Sequence, residues 1–297
     1  MNDSNLINPF ELDAETAAGL SAGMEFGGAV ELPFIAPLFW ALNGTPQHKA
    51  QLAMPGGAPA LYYGGWMCER EDLDEAVQAG GGTALPGLIP TDFVNREGKE
   101  LPCYSTRRLI LAPIGVRSSW VLRGTRSPNY LAGARQHAQV LVLLANSPDE
   151  GKTYQPWGPA VLTAKGYQAQ SILDGLKAWN RHTQAWRSTH APNTPAWAFY
   201  LGLGSFGDAP KTRMVGKSGA QSPITPLEAY LPEKLSDEMM KKLFAGRDTA
   251  RRMADLARLA SEWLHDWDEA VVQPHIENVD DGPPDQYGPG FEESIPF

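Results

Sequence analysis

Apolar residues recur in two rhythms along this chain, and the change of rhythm divides it. From Asp248 to Val272 they fall every three or four positions, at Met253, Leu256, Leu259, Ala260, Trp263, Leu264, Trp267 and Val271. That spacing predicts an amphipathic helix, with Asp248 at its N-terminus and Pro274 as its stop. Tyr167–Thr183 has the same rhythm, with Ile172, Leu173, Leu176 and Trp179 on one face. Shorter helices are predicted over Glu11–Leu20 and Glu69–Ala79. The middle is strand-like. Thr106–Pro113, Ser118–Arg123, Gln139–Ala145, Pro159–Lys165 and Trp197–Leu203 are short apolar or β-branched runs, and Gly115 and Gly124 can supply turns. Gly23 to Gly65 is so rich in Gly and Pro that it suits short strands and turns.

These elements predict an α+β chain in four parts. Residues 1–25 form a flexible lead and residues 26–247 a β-rich body. Residues 248–273 form a C-terminal amphipathic helix packed on the body, and residues 274–297 a disordered acidic tail. Five or so short strands with one embedded helix fit a small barrel of the OB type or a twisted antiparallel sheet. A hydrophobic content of 42% and 9 Trp support a folded body.

Charge changes the picture more than composition does. The net charge of -9 conceals three blocks. Residues 1–100 carry 4 basic and 14 acidic side chains, residues 101–219 carry 14 and 4, and residues 220–297 carry 7 and 16. A basic middle between acidic ends points to a polyanion site and an acidic tail. Arg107, Arg108, Arg117, Arg123, Arg126 and Arg135 lie in a stretch with no acid at all, interleaved with Trp120 and Tyr130. Cations that track phosphates beside aromatic faces that stack bases are what binding of a single strand needs. Lys165, Lys177, Arg181 and Arg187 extend that track, with Trp157 or Trp186 nearby.

The chain closes Phe291-Glu292-Glu293-Ser294-Ile295-Pro296-Phe297, and from Pro274 onward it has six carboxylates and no Lys or Arg. This acidic, Pro/Gly-rich end resembles the C-terminal tip of bacterial single-stranded DNA-binding proteins, over about the last two dozen residues. The family has Asp directly before its hydrophobic end, where this chain has Glu292, Glu293 and Ser294. The resemblance implies that Glu292, Glu293, Ile295, Pro296 and Phe297 dock replication, recombination and repair enzymes. The Phe297 ring would enter an apolar pocket and the α-carboxylate would meet a basic residue. It also implies an OB-fold core and a homo-oligomer. The expected function is sequence-independent binding of single-stranded DNA with recruitment through the tip, in a body not matched to the ordinary family, of cellular, phage or mobile-element origin. Two other readings share the tip. One is an adaptor or inhibitor that occupies the docking pocket of host enzymes without holding DNA. The other is a recombination or annealing protein.

Enzyme signatures are weak. Lys211 to Ser218 ends like a phosphate loop, but Lys211 stands in place of the first Gly. Gly202, Gly204 and Gly207 fit a bare dinucleotide pattern, yet Asp208-Ala209-Pro210 follows, so the segment reads as a turn. The six His and two Cys show no metal spacing and no disulfide framework. A non-enzymatic protein without cofactor or metal is expected. The N-terminus has no basic and apolar leader and no run is long enough to span a bilayer, so a cytoplasmic location with no membrane partner is expected.

Overall fold

The computed structural model describes residues 10, 12–22, 32–45, 49–53, 57–80, 84–94, 98–122, 125–127, 129–130, 132–146, 153–216 and 221–265. The predicted tail, Trp267, Val271 and most of the N-terminal lead lie outside these residues. The chain is α+β, built on a large curled sheet. In order it forms α1 (Ala14–Ala22), β1 (Leu38–Leu42), α2 (Lys49–Leu52), α3 (Pro59–Tyr63), β2 (Gly65–Glu69), α4 (Arg70–Ala79), β3 (Ile89–Val94), β4 (Glu100–Thr106) and β5 (Arg108–Leu122). Then come β6 (Thr125–Ser127), β7 (Arg135–Asn146), β8 (Gln155–Lys165), α5 (Gly166–His190) and β9 (Leu201–Gly204). The hairpin β10 (Arg213–Val215) and β11 (Ser222–Ile224) precedes β12 (Glu228–Ala229), α6 (Asp237–Leu243), α7 (Arg247–Leu259) and α8 (Ser261–His265). Among the described residues no helix is long and apolar enough to cross a membrane.

The main sheet runs β12-β9-β5-β7-β8-β1-β2-β4-β3, with β6 beside β5. Every pairing is antiparallel except β1 with β8. Only Arg107 separates β4 from β5, so the path β5-β7-β8-β1-β2-β4 begins and ends on one stretch of chain. The sheet therefore curls into a half-barrel. Two glycines permit the corner. A Cβ on Gly65 of β2 would lie 2.2 Å from the Thr106 carbonyl oxygen, and one on Gly204 of β9 would lie 2.2 Å from the Arg107 carbonyl oxygen. Backbone meets backbone at that switch, and only a residue without a side chain fits.

β5 is longer than the sequence rhythm suggests. Arg108–Pro113 and Ser118–Leu122, from two runs of the sequence, belong to one strand, and Gly115 is no turn but pairs with Leu141. Pro113 has no N–H to give to a central ladder, and the register shifts between Pro113 and Gly115, leaving Ile114 as the extra residue of a bulge. β7 is buried from His137 through Ala145, as a strand covered on both faces should be.

α5 outruns its predicted span. It buries Ile172, Leu173, Leu176 and Trp179 against β7, β8, β9 and β12. The C-terminal helix is not continuous: α7 ends at Leu259, Ala260 caps it, and α8 restarts at Ser261. Leu259, predicted on the apolar stripe, is consequently 58% exposed, while Met253, Leu256, Trp263 and Leu264 are buried. α1 packs on α7, and α7 and α8 pack on β5.

Candidate nucleic-acid interface

Residues opposite one another in a ladder point to the same face of a sheet, and neighbours along a strand point to opposite faces. The bulge at Ile114 reverses that phase. Arg108, Ile110 and Ala112 before it therefore share a face with Gly115, Arg117, Ser119 and Val121 after it. Arg135, His137 and Gln139 of β7, Lys165 of β8, Arg126 of β6, and Gly202 and Gly204 of β9 belong to the same face. Trp120 pairs with Gln136 on the opposite face. The arginines and the tryptophan that flank one another in sequence are thus divided by the sheet. Trp120 is partly buried and meets the exposed Tyr130 edge-on, with ring centroids 4.9 Å apart.

The shared face carries cations at both ends of β5. At the β5 N-terminus lies a groove of about 750 Å³, bordered by Arg107, Arg108, Ile110, Phe206, Tyr230 and Lys242. Its floor depends on Gly202. The Cβ position of that residue is 3.4 Å from Tyr230 Cβ and 3.5 Å from Phe206 Cζ, so the two residues lie over a position with no side chain of its own. Their ring centroids are 5.7 Å apart, and Tyr230 is 54% exposed. Arg107 is clamped: its guanidinium stands 3.9 Å from the Tyr63 ring centroid, and Nη2 donates to the Gly207 carbonyl at 2.6 Å. Arg108 is exposed beside it. Lys242 pairs with Glu238 at 3.0 Å. Tyr200 is fully buried in the wall, where burial pushes its phenol above the ordinary range.

At the other end of β5, Arg126, Arg135 and Lys165 surround His137. Arg126 Nη1 donates to Ser119 Oγ at 2.6 Å, and His137 stands opposite Ser119 on one side and Lys165 on the other. Burial pushes the His137 imidazole down to about 3, helped by the charges of Lys165, Arg126 and Arg135. A neutral histidine amid cations adds no charge of its own.

Arg117 belongs to neither end. It is fully buried: Nε donates to Gln139 Oε1 at 2.8 Å, Nη1 donates to the Trp263 carbonyl at 2.9 Å, and the guanidinium lies 3.7 Å from the Trp263 ring centroid. It cannot reach a phosphate while α8 is in place, and the expectation that it contacts nucleic acid is corrected accordingly. Arg187 is also engaged internally, with Nη2 donating to Asn180 Oδ1 at 2.6 Å, and Trp186 is buried. Lys177 and Arg181 lie on the exposed side of α5 and do not border the groove. Arg123 and the tip residues Glu292, Glu293, Ile295, Pro296 and Phe297 lie outside the described residues.

Sequence reading missed Phe206, Tyr230 and Lys242. The available signal was Gly202 and Gly204 alternating within a strand, which marks a face open to a close approach. Among the described residues no cluster of His, Cys, Asp or Glu could hold a metal ion. Cys68 and Cys103 are free and buried, and burial pushes both thiols up, Cys103 to about 12, so neither is poised as a nucleophile. What the face offers is positive charge beside accessible aromatic rings. Neither family models, curated proteins nor solved structures yield a match to this chain.

Proposed function

We propose that this protein binds single-stranded DNA without regard to sequence, and that its C-terminal tip recruits replication, recombination and repair enzymes. The observation that carries the reading is the groove, where Phe206 and Tyr230 lie on a glycine floor between Arg107, Arg108 and Lys242. Bases stack on such rings while phosphates meet the cations, and neither contact selects a base. The curled sheet supports an OB-like barrel. One bent strand, β4 and β5, serves both ends of the curl, a single parallel pair helps close it, and a helix follows β8. The acidic end with Ile295-Pro296-Phe297 supports the recruiting role. No catalytic step is assigned.

A gel shift and fluorescence titration with poly-dT, repeated with duplex competitor, tests the reading. Contact with four to six phosphates predicts a slope of log K against log salt of about -3 to -4. Replacing Phe206 and Tyr230 together with Ala is expected to weaken binding by about 2 kcal/mol or more, since each stacked base contributes about 1–3 kcal/mol. An unmoved poly-dT band would overturn the reading and leave the adaptor or inhibitor as the account of the tip. Equal competition by duplex would overturn preference for single strands.

A further inference from the structure

The two cationic ends of the sheet face are separated by roughly 40 Å of β5, taken at about 3.3 Å per residue. What lies between them is helical, and it is itself basic. α6 borders the groove through Met239, Lys242 and Leu243, and the Leu243 carbonyl accepts from the Tyr200 amide at 2.8 Å. The chain then passes through Ala245, whose amide donates to the Ala198 carbonyl at 3.0 Å, and enters α7 at Arg247. α7 packs on β5 with Ala250, Met253, Leu256 and Ala257 inward. α8 follows and holds Arg117, two residues along β5 from the Ser119 that accepts from Arg126. The helix pair thus leads from the groove to the second cationic patch.

On α7 the outward residues include Arg247, Arg251 and Arg258. At 100° per residue these three fall within about 40° of one line along the helix, which is about 16 Å long at 1.5 Å per residue. Arg252 stands to one side. Among the described residues, the acids paired with Arg251 and Arg258 face solvent. Asp13 lies 3.7 Å from Arg251, Asp255 lies 2.6 Å from Arg258, and Asp248 is exposed in the first turn. Exposed pairs of this kind yield readily to a phosphate.

We propose that Arg247, Arg251 and Arg258 of α7 carry the phosphates of a bound single strand away from the groove toward the patch of Arg126, Arg135 and Lys165, as a cationic row between the two ends. This rests on the proposed single-strand binding at the groove. The three arginines lie in the chain's acidic third, where a segment count of charge conceals them.

The experiment compares the full chain with an R247A/R251A/R258A variant and with the R247K/R251K/R258K variant. It uses titration of labelled dT oligomers over a range of lengths and salt concentrations. Three lost phosphate contacts make the slope shallower by about 2 and weaken binding about 100-fold at 0.1 M salt. The lysine variant keeps the slope. In the alanine variant the rise of affinity with oligomer length stops at a shorter length, near that which fills the groove alone. An unchanged urea midpoint shows that the variant is folded. Wild-type binding with the expected slope, joined to an alanine variant of equal slope and affinity, overturns the α7 row and leaves the groove reading standing. Absence of wild-type binding overturns both.

Discussion

Arg117 gives the sharpest test of how the C-terminal helices are held to the sheet, because it is a full charge enclosed in a β-strand face. Two charge-assisted hydrogen bonds, to Gln139 Oε1 and to the Trp263 carbonyl, contribute about 1.5–3 kcal/mol each, and the stacked indole adds about 2 kcal/mol when desolvated. Stripping water from the guanidinium costs several kcal/mol in return, and this cost is relieved when the residue is removed. Burial pushes the guanidinium down to about 9, with the charge of Arg126 adding to the effect. The net loss expected for Arg117→Ala is about 3 kcal/mol, near the lower end for breaking a buried charged contact. Gln139 is left with a buried amide oxygen that has lost its donor. A double-mutant cycle separates that orphan from the rest: R117A, Q139A and the double variant, measured by urea denaturation, should show a coupling of about 1–3 kcal/mol. The double variant is expected to be more stable than the sum of the singles implies. A loss under 1 kcal/mol for R117A would refute the idea that this arginine anchors α8, and strict additivity in the cycle would refute its coupling to Gln139.

Three further outcomes are expected, two from the same geometry and one from the charge of the C-terminal sequence. His137 has a folded pKa of about 3, well below its ordinary value near 6.5, so as pH falls through that window the unfolded chain takes up a proton that the folded chain refuses. Stability should drop by about 1.4 kcal/mol per pH unit from this residue alone, and His137→Gln should remove that portion of the slope in urea melts between pH 6.5 and 4. Gly204→Ala sets a methyl 2.2 Å from the Arg107 carbonyl oxygen and 2.6 Å from Arg108 Cα, so a loss of about 1–3 kcal/mol or more is expected by thermal melt. Gly158→Ala, where a Cβ meets nothing within 4 Å, serves as the near-neutral control. Deleting Pro274–Phe297 should tighten poly-dT binding, most at low salt, because a tethered carboxylate-rich segment competes with phosphates; equal titrations of the two chains would disprove that competition.

The amino-acid sequence by itself determined the local elements whose signals are local. Ile172, Leu173, Leu176 and Trp179 specified the inward face of α5 through helical spacing. The apolar run Gln139–Ala145 announced a strand covered on both sides, and the acid-free stretch supplied Arg107 and Arg108 to one end of β5 and Arg126 and Arg135 to the other. Tertiary structure decided what that charge could touch. A strand alternates its side chains, so Trp120 and Arg117 had to part company, and one inserted residue beside Pro113 then put Arg108 on the face of Arg117 rather than opposite it. α8, arriving from 146 residues away, took Arg117 out of solvent. Gly202 and Gly204 read as a turn in sequence, yet pairing with β5 made Gly202 the bare floor under Phe206 and Tyr230 and set Gly204 against the Arg107 and Arg108 backbone. Spacing along a chain fixes the period of an element, but which face meets water depends on register and on distant partners. Those are settled only when the whole sheet closes.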